Sequence, residues 1–145
     1  MARTLRVLAW SMGIACVAIE LYHAAAGNAA IPGAEDAGAT VDSFGRFMGA
    51  VFAGYGLAWL WAVRQTPIPA TAVRLLAGVF LLGGLSRLLS LAAEGWPHGF
   101  QIMLMVIELA LPPVYFWLAD AEERAVRARA GAVPPSRGYG GTAPA

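Results

Sequence analysis

The chain has 145 residues, of which 59% are hydrophobic and 13% charged, and its mean hydropathy is +0.61. That composition excludes a water-soluble domain. The ten basic residues, all arginine, and nine acids leave a net charge of +1, which gives no electrostatic footprint for nucleic acid. One cysteine and two histidines exclude a disulfide framework and a Cys/His zinc site, so neither cofactor nor metal is expected.

Four apolar runs follow in chain order, at about residues 5–26, 47–63, 72–93 and 100–118. Each meets or approaches the roughly 17 to 25 residues a helix needs to cross a bilayer, and none alternates as a barrel strand would. The fold class is therefore all-α, an integral membrane four-helix bundle over residues 1–118. The first run follows Arg3 and Arg6 and places Gly13, Cys16, Glu20, His23 and Gly27 on one face. Its basic start, apolar run and small residues over 24–30 also resemble a cleavable secretory signal, although Glu20, Tyr22 and His23 interrupt that pattern. Residues 27–45, rich in Gly, Ala, Pro and acids, read as an irregular connection.

The second run presents a small-residue face of Gly45, Gly49, Ala53 and Gly56, opened by a GxxxG that permits close helix approach. In the third, Gly83 and Gly84 are packing candidates, and Gly83, Ser86, Arg87, Ser90 and Glu94 share a face. The fourth repeats this spacing with Gln101, Met105, Glu108, Pro112 and Tyr115. Pro112 and Pro113 should disturb that helix and free carbonyls near Glu108 and Leu109 for Arg87 or water. Residues 119–145 read as a cytoplasmic part, a charged helical extension followed by a flexible tail over 133–145.

Arginine sets the orientation. Arg3, Arg6, Arg64, Arg74, Arg124, Arg127, Arg129 and Arg137 all fall on one side, whereas the opposite connections carry Glu35, Asp36, Asp42 and Glu94. The positive-inside bias places both termini in the cytoplasm. Trp10, Trp59, Trp61 and Trp117 fit an inner aromatic belt and Trp96 an outer one.

The informative residues are the ionisable ones within the spans: Glu20, Arg87 and Glu108, with Arg46 at the mouth of the second. Each central charge costs on the order of 2.5 to 3.5 kcal/mol on insertion scales, so these groups should face one another rather than lipid. At about 1.5 Å per residue, Glu20, Arg87 and Glu108 lie about 20, 22 and 18 Å from the inner boundary. A polar cluster of Glu20, Arg46, Arg87 and Glu108 is expected at one depth. It would pin helix register, line a ligand or headgroup pocket, or carry protons.

Residues 42–57 (DSFGRFMGAVFAGYGL), residues 79–91 (VFLLGGLSRLLSL), Gly95-Trp96-Pro97-His98 and the run from Glu108 to Pro112 resemble the DUF4345-type proteins. That resemblance implies a small bacterial four-helix membrane protein and marks Arg46, Arg87 and Glu108 as shared polar positions. It implies no activity, and the first helix and tail take no part in it.

Two non-enzymatic functions lead, and a third, a membrane enzyme with Glu20, Glu108 and His23 as acid and base, has the least support because no spacing signature for a nucleophile or metal is present. One is an accessory subunit of a larger membrane complex, such as a cell-envelope lipid transporter. The other is a binding or carrier protein holding an anionic lipid headgroup or small acid in an outward-facing pocket, where arginine forks suit carboxylate and phosphate.

Overall fold

The computed structural model describes residues 2–132, and the expected tail over 133–145 lies outside the described residues. Four helices follow one another: α1 (Ala2–Ala26), α2 (Ala39–Arg64), α3 (Ala70–Glu94) and α4 (Gly99–Gly131), with a 3-10 turn at Gly27–Ala30 after α1. All four are long and apolar enough to cross a membrane. Large apolar side chains cover the perimeter, among them Ile14, Leu21, Phe47, Leu75, Leu89 and Val106. In water this surface would drive aggregation, whereas acyl chains solvate it. The protein is an all-α, multi-pass membrane four-helix bundle.

α2 begins at Ala39 rather than near 47, so the irregular connection is shorter than its composition predicts. The extra turns are polar and escape a hydropathy reading. Asp42 in the first turn complements the helix dipole, and Arg46 Nε donates to Asp42 Oδ2 at 2.8 Å across one turn. α4 runs unbroken through Pro112 and Pro113. The prolines remove two backbone donors, but Met105 and Glu108 before them and Tyr115 and Leu118 after them stay buried on one face, which holds the axis. Beyond 118 the same helix keeps packing: Ala119, Ala121 and Glu122 are buried, and Arg74 of α3 donates to Asp120 and Glu123 at 2.5 Å each.

The helices pair as two hairpins, α1 with α2 and α3 with α4. The hairpins come together mainly at the end that carries both termini. There Leu5, Ala9, Trp59, Val63, Ile68, Val73, Tyr115 and Leu118 form one buried cluster. Trp59 is fully buried and packs on Tyr115 with ring centroids 4.6 Å apart, so it is a core residue and not part of an aromatic belt. Two tyrosines bridge the hairpins through backbone carbonyls. Tyr115 donates to Leu8 O at 3.0 Å and Tyr55 to Leu76 O at 2.8 Å. Toward the opposite end packing loosens, and residues 85–100 are exposed apart from Arg87 and Leu91.

The glycines explain the close pairing within each hairpin. A Cβ on Gly56 would lie 2.9 Å from both Gly13 O and Cys16 Cβ, so α1 and α2 touch backbone to backbone here. A Cβ on Gly84 would sit 2.9 Å from Leu109 Cδ2 and 3.0 Å from Glu108 Cβ, which brings α3 onto α4. Gly83 is less crowded, 3.8 Å from the Glu108 carboxylate.

Candidate functional site

Above the tyrosine bridges a half-open cavity of about 390 Å³ lies between the hairpins. Met12, Phe80, Leu111 and Tyr115 are among its apolar lining, and Glu20, Arg87 and Glu108 bring charge from three different helices. These three groups therefore share one cavity wall. Arg46 does not join them.

Each charge has its own local cause. Glu108 follows the buried α4 stripe of Met105, Pro112 and Tyr115 and is itself only 5% exposed. Arg87 continues the buried α3 line of Val73, Ala77, Phe80 and Gly84. Its Nε donates to Glu108 Oε2 at 2.7 Å and its Nη1 to Gln101 Oε1 at 2.7 Å. The guanidinium fork thus clamps two α4 side chains two turns apart, which fixes α3 against α4 in register. The carbonyls freed by the prolines play no part in this clamp. Ser86 and Ser90, expected on the same face, are exposed instead. Ser86 donates to Leu82 O at 2.9 Å within its own helix, so it faces outward without an unsatisfied hydroxyl.

Glu20 sits between the cavity and α2. Its Oε2 lies 3.3 Å from His23 Nδ1, one turn on. Gly49 and Gly45 leave the recess these two side chains fill: a Cβ on Gly49 would fall 2.6 Å from Glu20 Oε2, and one on Gly45 would fall 3.1 Å from His23 Nε2. The GxxxG of α2 therefore accommodates a polar pair, while the backbone contact is made further along at Gly56. His23 is mostly buried, and its Nε2 has no hydrogen-bond partner among the described residues.

Arg46 works at the end of α1. It donates to Asp42 and to Ala24 O in the last turn of α1, and Asp42 Oδ1 accepts from Asn28 N at 3.1 Å. Gly27 makes this possible with φ +60, and a Cβ there would collide with Asp42 Oδ1. Asp42, as the partner of Arg46, is the residue that apolar-span reading passes over; its i, i+4 spacing to Arg46 was the available signal. At the same end Gly33 of the first connection abuts His98 of the second, and backbone N–H groups at Glu35 and Gly33 hold the Glu35 carboxyl below the usual carboxylate range.

A family model described as a domain of unknown function, DUF4345, matches residues 4–119. The chain belongs to this family. The DUF4345 match takes in all four helices, including α1, which local sequence resemblance did not reach. It ends beside the first buried residues past 118 and so covers the whole cavity. No curated protein and no solved structure matches the chain. The DUF4345 bundle gathers no group of three or more His, Cys, Asp or Glu side chains suited to a metal among the described residues. What the site offers is apolar volume, one clamped arginine and two carboxylates.

Proposed function

We propose that this protein is a non-enzymatic binding protein for a small membrane-dissolved amphiphile, held between its two hairpins. The supporting observation is the cavity of about 390 Å³, within the roughly 300 to 1,000 Å³ common for small-molecule sites and of the usual kind, apolar with few polar groups. The amphiphile's apolar body would lie among Phe52, Phe80 and Tyr115 and its head beside Glu20, Arg87 and Glu108. The anionic head suggested by the arginine forks loses its motive, since Arg46 and Arg87 both have acidic partners. A docking role on a larger complex draws no specific support, because lipid accounts for the apolar perimeter equally well.

Both termini belong on the cytoplasmic side in this proposal. Arg3, Arg6, Arg64, Arg74, Arg124, Arg127 and Arg129 gather at the packed end, and Glu35, Asp36, Asp42 and Glu94 at the other.

Native mass spectrometry of the protein released gently from its own membranes tests the binding reading. A discrete added mass of a few hundred daltons is expected, and Ala15→Trp, which fills the cavity, should remove it. Ligand-free protein found in stoichiometric complex with larger membrane proteins would overturn the reading in favour of an accessory subunit.

A further inference from the structure

The charges around the cavity do not balance, and this narrows the ligand if the binding reading above holds. Arg87 is held by Glu108 and Gln101, and Arg46 by Asp42 and the Ala24 carbonyl outside the cavity. Glu20 has no arginine among the described residues. Its neighbour on α1 is His23, at 3.3 Å, longer than the roughly 2.7 to 2.9 Å of a strong charge-assisted bond. From α2 it meets uncharged Gly49, with Asp42 and Arg46 lying toward the His23 end. Across the cavity stand Arg87 of α3 and Glu108 of α4. Glu20 therefore lacks the arginine partner that Glu108 and Asp42 each have.

We infer that the cavity is a site for a monocationic amphiphile, with an ammonium-like or phosphonium-like head beside Glu20 and its apolar body against Phe52, Phe80 and Tyr115. A carboxylate in low dielectric gains most from a counter-charge, and aromatic faces attract a desolvated cation further. An anionic head would meet two carboxylates and an arginine whose Nε and Nη1 are already given to Glu108 and Gln101.

The test uses three probes of similar shape and different charge on the full chain in neutral maltoside micelles: tetraphenylphosphonium, triphenylphosphine oxide and tetraphenylborate. Equilibrium binding should be saturable for the phosphonium and at least tenfold weaker for the other two. It should drop at least tenfold in Glu20→Gln and persist in Glu20→Asp, with both variants checked by circular dichroism and gel filtration. The wild-type preference decides the sign even if a variant misfolds. Equal or tighter binding of the oxide or the borate, blocked by Ala15→Trp, would overturn the cationic assignment and leave the binding reading standing. Failure of all three probes would also overturn it, and the mass measurement above would then judge the binding reading by itself.

Discussion

Arg87 and Glu108 form an ion pair in which one carboxylate is almost wholly buried and the guanidinium is about one-third exposed. Such pairs add little net stability over well-packed apolar residues, but removing one partner strands the other charge. Arg87→Ala is expected to destabilise the bundle by about 3 to 5 kcal/mol, read by thermal unfolding in detergent. The double variant Arg87→Met with Glu108→Leu should recover most of that loss; equal damage in the single and double variants would show that the charge pair is not the cause. Glu35 behaves in the opposite, solvent-exposed manner. Its lowered pKa means that its contact with the Gly33 N–H stabilises the connection above the ordinary carboxylate range and is lost only as pH falls through the lowered value. Amide chemical shifts of Gly33 followed during acid titration should therefore report a midpoint below that of a model glutamate.

Between elements, the same Gly→Ala change should have two outcomes on α2. In a helix it gains roughly 0.5 to 1 kcal/mol from chain entropy, whereas overpacking costs about 1 to 3 kcal/mol. At Gly56 the new methyl meets the Gly13 carbonyl and Cys16 Cβ, which cannot move without separating the helices, so a net loss of stability is expected. At Gly49 it meets the free end of Glu20, which can swing away, so stability should hold while phosphonium binding falls. Melting temperature and probe affinity measured on both variants separate the two effects. The stripes of α1, α2 and α4 were legible in the sequence because their small and polar residues recur at helical spacing within long apolar runs. The α3 face was half legible. Arg87 needs partners and points inward, but Ser86 satisfies its hydroxyl on its own backbone, so its polarity says nothing about direction. The retirement of Arg46 from the cavity was hidden for a related reason: its partner Asp42 lies in turns too polar to register as part of a span.

Across the whole molecule, the proposed orientation makes a direct prediction. In a Cys16→Ser background, Glu35→Cys should react with a membrane-impermeant maleimide on intact cells, and Ala130→Cys only after lysis. The reverse pattern would invert the topology while leaving the fold untouched. Four spans followed from run length, but their pairing as two hairpins and the cavity did not, because the cavity depends on how far the hairpins part beyond their tyrosine bridges. One of those bridges joins Leu8 to Tyr115, almost the full length of the bundle apart in sequence. During synthesis α1 leaves the ribosome long before α4 exists, and contacts so distant along the chain close late. Until the last helix arrives, the first hairpin holds Glu20 with His23 but without the wall that Glu108 and Arg87 complete. The bundle is thus finished from its oldest and newest segments at once, and any factor that shepherds its insertion must shelter a half-built acidic face.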